Sequence, residues 1–168
     1  KGFNASQIRD IYRSLSSSQS GKRFFSTEWE VLRDREYLWI QKKDSSPLIP
    51  ELIIEEIERT PSFVIPRDKH IACLDADKLN HPLTIRKWER GDKFIPLGMN
   101  GKKKVSDYLT DKKYSLFQKE NQYVVCSGED IVWLVNERTD HRYRITDNTQ
   151  QKLNIQLKNQ MMNMRFII

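Results

Sequence analysis

The sequence predicts an α+β fold that consists mostly of antiparallel strands with a few short helices. Three observations predict it. Apolar residues recur at helical spacing near the start, several short runs alternate apolar and polar residues, and polar turns separate those runs. The chain has 168 residues, of which 38% are apolar and 31% are charged. It can therefore bury the core of one or two domains beneath a strongly hydrated surface.

The first predicted element is a helix, followed by a hairpin. Apolar residues recur at helical spacing from Ile8 to Leu15, and Asn4 or Ser6 can cap the first turn. A serine-rich stretch then ends the helix. Residues 25–31 alternate as in a strand, and residues 37–40 form a second strand after a charged turn, which predicts a hairpin.

The remaining elements are short and lie on either side of a composition shift, at which we place a domain boundary between residues 78 and 79. Residues 52–57 are ambiguous between strand and helix, because a short apolar run does not reveal its period. The predicted strands are 70–74, 83–88, 123–126, 131–135, 142–145 and 153–157. A long loop is expected over residues 89–104, a short helix at Val105–Leu109, and an apolar tail over residues 161–168 that is either an edge strand or loose.

Positive charge is concentrated in one window of the sequence. The chain carries 29 Lys and Arg against 23 Asp and Glu, a net charge of +6. Residues 82–120 hold 10 basic and 5 acidic side chains, whereas residues 1–81 hold 13 of each and residues 121–168 hold 6 and 5. Such a window favours a polyanionic partner, although a solvated basic face without a partner has the same composition.

The most informative stretch is the loop of residues 86–104. It contains Gly91, Gly98 and Gly101, where the backbone can approach a partner closely, and it ends in Lys102–Lys104 directly before a helix N-terminus. Glycines, mobile lysines and free amide groups together favour phosphate. The spacing does not match the Gly-x-x-x-x-Gly-Lys-Ser/Thr pattern of a nucleotide P-loop.

Several side chains near this loop have two interpretations. Asp92 can serve chemistry, or it can cap the loop and pair with an arginine. Asp107 and Asp111 share a helix face, where they can act as an acid–base pair or hold lysines. Three aromatic side chains can stack on nucleobases or lie in the core; they are Trp88, Phe94 and Trp133.

A second arginine-rich run lies further along the chain, from Arg138 to Arg144. Arg142 and Arg144 would share one face of the predicted strand 142–145, which suits bidentate contact with phosphate. The same charges would also protect an exposed edge strand from pairing with another chain.

The cysteines and the remaining composition limit the class of protein. Cys73 and Cys126 lie in apolar runs without a CxxC partner, which indicates two buried thiols in a reducing cytosol. The histidines are not at metal-ligand spacing, so no metal site is predicted. We find neither an apolar run near the ~20 residues of a membrane span nor a secretory leader. Because the chain starts without Met and in mid-pattern, we expect a piece of a longer protein.

Several blocks of the sequence resemble the tRNA(Ile)-lysidine synthetase family. Its C-terminal domain is resembled by residues 75–86, by Arg90–Met99, which is the most specific block, and by Lys103–Leu109; residues 131–142 resemble that domain's closing hairpin. Residues 2–38 are similar, less specifically, to the end of the family's middle domain. Two departures alter the expected phosphate contacts: Tyr114–Lys119 replaces a stretch with Pro and Arg, and Glu137 stands where Gly is common.

The resemblance implies a domain arrangement and an activity. Residues 1–78 would be the end of the middle, substrate-binding domain with linking strands. Residues 79–168 would be the C-terminal tRNA-recognition domain, whose fold resembles a domain of the phenylalanyl-tRNA synthetase β-chain. The family's enzymes are cytoplasmic ligases that use ATP, with magnesium, to join lysine to the wobble cytidine of an isoleucine tRNA. Their pyrophosphate loop is not found in this sequence, so we expect no cofactor, no catalytic residue and no activity in this piece alone.

The resemblance and the charge pattern together give the expected partners and contacts. The partners are tRNA(Ile) with a CAU anticodon and the N-terminal ATP-binding domain of the same chain, without a membrane, and a homodimer stays open. The predicted tRNA contacts are Arg86, Lys87, Arg90, Lys102, Lys103, Lys104, Lys112, Lys113, Arg138 and Arg142. The predicted loop-shaping residues are Gly91, Asp92, Gly98 and Gly101.

Two other functional classes remain open at this point. One is a basic protein–protein docking domain that meets an acidic protein and binds no nucleic acid. The other is an independent enzyme that uses Asp92, Asp107 and His81, although no nucleophile–base pair can be recognised in the sequence.

Overall fold

The computed structural model describes residues 1–17, 19–43, 49–57, 63–158 and 165–167. The chain divides into two compact units. The first comprises Lys1–Leu48, Ser115–Gln118 and Met161–Ile168, and the second comprises Ile49–Tyr114 and Lys119–Gln160. Strands pair antiparallel throughout the described sheets, and the helices are short, so the predicted α+β fold is confirmed.

The elements are numbered along the chain. The α-helices are α1 (Ala5–Leu15), α2 (Val105–Asp111) and α3 (Leu116–Glu120). The first strands are β1 (Lys22–Phe25), β2 (Trp29–Asp34), β3 (Tyr37–Lys42), β4 (Leu52–Ile57), β5 (Ala72–Asp75) and β6 (Leu83–Lys87). The others are β7 (Lys93–Phe94), β8 (Lys103–Lys104), β9 (Tyr123–Ser127), β10 (Asp130–Leu134), β11 (Arg138–Thr139), β12 (Lys152–Leu157) and β13 (Arg165–Ile167). Short 3-10 helices cover Ala76–Lys78 and His141–Tyr143.

The first unit begins with the predicted helix and its cap. The Gln7 N–H donates to Asn4 Oδ1 at 2.9 Å, and the Asn4 N–H donates to Gln7 Oε1 at 3.0 Å. This reciprocal capping box satisfies two backbone donors that the first turn cannot pair internally. The predicted start of α1 is therefore confirmed, with Asn4 rather than Ser6 as the cap.

The sheet of the first unit has the strand order β1-β2-β3-β13. The β2–β3 hairpin is confirmed, and it turns through Arg35 with φ 55°. The continuous strand predicted over residues 25–31 is wrong, because the Trp29 N–H donates to Ser26 Oγ at 3.0 Å and turns the chain between β1 and β2. Leu32, Trp39 and Phe117 form the core of this unit.

The apolar tail is only partly described. Residues 165–167 form β13, which pairs with β3 in the register Arg165↔Trp39. The rest of the tail lies outside the described residues.

The second unit contains two sheets that pack face to face, with orders β4-β12-β5 and β11-β10-β9-β6. The ambiguous run 52–57 is a strand, since all six of its residues pair with β12. The core between the sheets is formed by residues such as Leu74, Val125, Trp133 and Ile155, each at most 1% exposed.

A second core lies on the opposite face of the four-stranded sheet, beneath α2 and the β7–β8 ribbon. A bulge between Ile131 and Trp133 allows Val132 and Trp133 to face the first core, while Ile131 and Leu134 face the second. The predicted hairpin of β9 and β10 and the predicted helix at residue 105 are confirmed.

Two sequence predictions in this unit fail. The strand expected over residues 142–145 is wrong, because the Arg142 N–H donates to Asp140 Oδ1 at 2.9 Å and starts the 3-10 helix His141–Tyr143 instead. The loop expected over residues 89–104 contains the β7–β8 ribbon. The boundary placed between residues 78 and 79 falls between β5 and β6, inside the second unit, and stays a prediction about domains.

Both cysteines are free and buried, as predicted. Burial raises the pKa of the Cys73 thiol to about 11, so this thiol is protonated at neutral pH. In the part of the chain that the structure describes, no helix is long and apolar enough to cross a membrane.

Candidate nucleic-acid interface

A bidentate ion pair anchors the start of the glycine- and lysine-rich loop. Arg86 Nη1 and Nη2 donate to the two carboxylate oxygens of Asp92 at 2.8 and 2.9 Å, and the Glu89 N–H also donates to Asp92 Oδ2 at 2.8 Å. The Val105 N–H donates to the Asp92 carbonyl at 2.9 Å. Asp92 therefore ties the end of β6 to the first turn of α2.

The electrostatics of this pair follow from its bonding. Burial raises the pKa of Asp92, but the hydrogen bonds from Arg86 and from the Glu89 amide outweigh burial and hold that pKa below its usual value. The same hydrogen bond raises the pKa of Arg86. Both groups stay charged and occupied by each other, so Arg86 supports the loop rather than presenting a free guanidinium. Asp92 has the structural role of its two interpretations.

The β7–β8 ribbon places two unneutralised lysines directly opposite each other. Lys93 lies opposite Lys104, and Phe94 lies opposite Lys103. Because side chains alternate along a strand and Phe94 is fully buried, Lys93 and Lys104 share the outer face. Both side chains are exposed, and neither ammonium group has a hydrogen bond or ion pair with any residue that the structure describes. Like charges directly opposite each other repel, so an anion bound here would relieve a cost already present in the fold.

Lys93 was not among the contacts predicted from the sequence. The signal that could have found it is the alternation Lys93-Phe94 set against Lys103-Lys104, but two residues are too few to reveal a strand period. We call the exposed pair Lys93 and Lys104 the lysine pair.

The neighbouring lysines are partly neutralised. Lys103 Nζ lies 2.6 Å from Asp111 Oδ2 and 5.7 Å from the centre of the Tyr108 ring. Lys112 Nζ lies over the same ring at 5.9 Å. Tyr108 thus brings two predicted contacts, Lys103 and Lys112, to one place. Lys113 follows with φ 58° and is exposed.

The loop after β7 is held by the segment that follows β10. The Ile95 N–H donates to Asp140 Oδ2 at 2.8 Å, and the His141 N–H donates back to the Ile95 carbonyl at 2.7 Å. The Leu97 N–H donates to the Thr139 carbonyl at 2.9 Å. These bonds fix the backbone of residues 95–97, so the charges that flank the loop have defined positions.

Arg142, a predicted contact, is committed to the fold. Its Nη1 donates to Asp130 at 2.8 Å, and its Nε and Nη2 donate to the two oxygens of Asp140, each at 3.0 Å. Asp140 is completely buried, and a buried carboxylate requires such a partner. The hydrogen bond with Asp140 raises the pKa of Arg142.

The remaining predicted contacts are exposed. Lys87 Nζ lies 3.4 Å from Asn121 Oδ1, and Arg138 Nη1 donates to the Leu97 carbonyl at 3.3 Å. Arg90 and Lys102 are exposed, and Arg90 has no hydrogen-bond or ion-pair partner among the described residues. Burial raises the pKa of Asp130, but hydrogen bonds from Arg142 and Tyr143 outweigh burial and lower it, and the charge of Lys102 lowers it further.

The aromatic residues belong mainly to the core. Phe94 and Trp133 are at most 1% exposed, and the half-buried Trp88 donates its indole N–H to the Lys119 carbonyl. The apolar side chains that reach solvent in this loop are instead Leu97 and Met99, at 38% and 44% exposure, which the sequence analysis did not select.

The side chains of the enzyme interpretation take part in hydrogen bonds or, like His81, are exposed. Both oxygens of Asp92 are occupied, and Asp107 is an exposed acceptor for the Ser106 hydroxyl at 3.1 Å. Among the described residues, no three His, Cys, Asp or Glu side chains are grouped so that they could hold a metal ion.

The fold and the loop define a β-rich module with a loop flanked by exposed lysines, an arrangement of charge that favours a polyanion. A family model described as the TilS substrate binding domain matches residues 1–43. The tRNA(Ile)-lysidine synthase of Bacteroides thetaiotaomicron is 56% identical over 153 residues, which cover 89% of this chain and 36% of that enzyme.

The chain is also similar to solved structures. A crystal structure of a TILS C-terminal domain has a TM-score of 0.55 and 19% identity, and the match covers 65% of this chain and 85% of that chain. A phenylalanyl-tRNA synthetase β-subunit fragment from Pyrococcus horikoshii has a TM-score of 0.46 and covers 52% of this chain and 27% of that chain. At 56% identity the chain is similar to a tRNA(Ile)-lysidine synthase, and it spans little more than a third of that curated relative's length.

Proposed function

We propose that this chain is the tRNA-binding part of a tRNA(Ile)-lysidine synthetase. The close relationship to the synthase of B. thetaiotaomicron supports the family, and the fold shared with a TILS C-terminal domain supports the position within it. The observation that carries tRNA binding is the lysine pair: two exposed ammonium groups on adjacent strands, without an anionic partner among the described residues.

The proposal for the whole protein follows from the same relationship. The complete enzyme is a cytoplasmic ligase that uses ATP, with magnesium, to join lysine to the wobble cytidine of a tRNA(Ile) with a CAU anticodon. An N-terminal ATP-binding domain of the same protein performs the chemistry. Residues 1–78 belong to its middle domain and residues 79–168 to its C-terminal domain.

Within this chain, the exposed cations provide the contacts and the paired arginines support them. Lysine and arginine contacts to phosphate are independent of sequence; they position the RNA and give affinity without reading bases. The proposed contacts are Lys87, Arg90, Lys93, Lys102, Lys104, Lys112, Lys113 and Arg138. Arg86 and Arg142 hold the loop in place through Asp92 and Asp140.

The test is the salt dependence of tRNA binding. If about four or five phosphates are neutralised, the logarithm of the affinity should fall against the logarithm of salt concentration with a slope of roughly −3 to −4.5. Fluorescence anisotropy with a labelled tRNA(Ile) transcript measures this slope. An affinity that does not respond to salt contradicts the proposal.

A competition experiment separates this function from docking onto an acidic protein. Excess unlabelled tRNA should displace the labelled transcript, whereas an acidic protein of equal charge density should not. Displacement by both to the same extent would favour a basic docking surface.

A further inference from the structure

The side chain of His141 accepts a hydrogen bond from the loop backbone. The Gly98 N–H donates to His141 Nδ1 at 3.1 Å. A backbone amide can only donate, so Nδ1 must carry its lone pair, and in the neutral ring the hydrogen lies on Nε2. The loop therefore selects one tautomer of this histidine.

Hydrogen bonds also fix the backbone of His141. The His141 N–H donates to the Ile95 carbonyl at 2.7 Å, and the His141 carbonyl accepts from Arg144 Nη1 at 3.1 Å. The residue is partly buried, and its Nε2 has no partner among the residues that the structure describes. His141 is thus a fixed N–H donor whose hydrogen-bonding capacity is unused within the described chain.

The surroundings of His141 admit a ligand that carries negative charge. Gly98 has φ +87°, and a Cβ built on it would meet no heavy atom within 4 Å, so the space beside this residue is open. Arg138 donates to the adjacent Leu97 carbonyl at 3.3 Å and is exposed, as is Arg144. Two guanidinium groups beside an open, rigid N–H donor favour an anionic oxygen as its acceptor.

We propose that His141 contacts the tRNA directly, with its Nε2–H donating to a phosphate oxygen of the RNA backbone beside Gly98. This inference rests on the proposed function. It adds a hydrogen bond from a side chain that the charge pattern of the sequence does not select. Nδ1 keeps the loop in position while Nε2 binds the ligand, so one side chain performs both tasks.

Two isosteric variants separate those tasks. In His141→Asn the amide oxygen can accept from Gly98 as Nδ1 does, but no group reaches the position of Nε2. In His141→Gln the amide nitrogen can occupy the position of Nε2, but the acceptor near Gly98 is lost. Affinity for the tRNA(Ile) transcript is measured by anisotropy at fixed salt, and the amide resonance of Gly98 is followed by NMR without RNA.

We expect His141→Asn to bind the transcript about tenfold more weakly, the order expected for one hydrogen bond to a charged acceptor, with the Gly98 resonance close to its original position. His141→Gln should bind within about threefold of the original chain and shift the Gly98 resonance, since it retains the donor and loses the loop bond.

Two results would overturn the inference. Unchanged affinity of His141→Asn would show that Nε2 contacts nothing. Equal losses in both variants, each with a displaced Gly98 resonance, would show that His141 only holds the loop. An original chain that binds no tRNA, although long-range ¹⁵N spectra show the Nε2–H tautomer, refutes the proposed function itself and this inference with it.

Discussion

The glycine- and lysine-rich loop and the arginine run at residues 138–144 look equivalent in the sequence, since both are basic and lie close to a turn. In the structure they differ in what holds their charge. Lys93 and Lys104 face each other without a counter-charge among the described residues, whereas Arg142 donates to both Asp130 and Asp140. The difference teaches that a count of basic residues in a window of sequence overstates the charge available for binding. The basic residues that pair with carboxylates inside the fold must first be subtracted.

The same comparison separates two ways in which a protein can use a cation. A guanidinium bound at both edges by carboxylates organises backbone, because its planar fork fixes the direction of each bond. An ammonium group on an exposed strand remains hydrated and mobile, and it gains most from an anion that arrives from outside. Arg86 and Arg142 stabilise the loop, whereas the exposed Lys93 and Lys104 are available to bind an anion.

The largest expected effect tests the structural side of this comparison. Replacing Asp140 by Ala removes the acceptor for Ile95 and Arg142 from a fully buried position, and it leaves Arg142 with Asp130 as its remaining carboxylate partner among the described residues. We expect a loss of about 3 to 5 kcal/mol in the free energy of unfolding, measured by urea denaturation. The control Asp147→Ala alters an exposed carboxylate and should change stability by less than about 0.5 kcal/mol. A loss below about 1 kcal/mol in Asp140→Ala would show that the hydrogen bonds of Asp140 do not stabilise the fold.

The next effect tests the binding side. The double variant Lys93→Glu/Lys104→Glu should weaken tRNA binding roughly 30- to 100-fold near 0.15 M salt and reduce the magnitude of the salt slope by about 2. Anisotropy titrations at several salt concentrations measure both. The control Lys42→Glu/Lys158→Glu changes the net charge by the same amount at other exposed positions. Equal weakening in the two double variants would mean that net charge, rather than this ribbon, determines affinity.

A smaller effect concerns Asp92 and pH. Because the pKa of Asp92 is lowered in the folded state, its ionised form stabilises the fold at neutral pH, and that contribution is lost as the pH falls through the folded pKa. Asp92→Asn should therefore be less stable by roughly 1 to 3 kcal/mol at pH 7, and the difference should shrink toward pH 3. Urea denaturation across this range measures it. A difference that is independent of pH would exclude the ion pair as its cause.

The smallest effect compares two adjacent lysines. Lys104→Gln should weaken tRNA binding about fivefold near 0.15 M salt, the value of one phosphate contact. Lys103→Gln should weaken it by only about twofold, because Asp111 already neutralises Lys103 at 2.6 Å. Equal losses in the two variants would indicate that this ion pair opens when RNA binds.

The sequence predicted those elements whose signals are local. The capping box of α1 lies within four residues, and the β9–β10 hairpin follows from alternation around a tight turn, so both were predictable. The strand assigned to residues 142–145 failed because Asp140, completely buried between Ile95 and Arg142, imposes a 3-10 turn on a segment with strand-like composition. Tertiary hydrogen bonds of this kind have no signature in a single window of sequence.

The sequence selected the loop as the candidate site, but it did not reveal what each side chain there contacts. The charge window and the glycines identified the loop, because both are properties of neighbouring residues. The commitment of Arg142 to Asp130, twelve positions away, depends on how the second unit packs. Lys93 is exposed because it lies on the outer face of the two-residue strand β7. That strand is defined only by its pairing with β8, which lies further along the chain.

The sheet of the first unit joins parts of the chain that are far apart in sequence, since β13 at residues 165–167 pairs with β3 at residues 37–39. Contacts of such long sequence separation form late and slowly in folding. During translation this edge of β3 must wait, unpaired, until more than a hundred further residues have been made. A truncation near residue 165 therefore alters the first unit and leaves the edge of β3 open to pairing with other chains. An affinity tag at that position alters the same sheet.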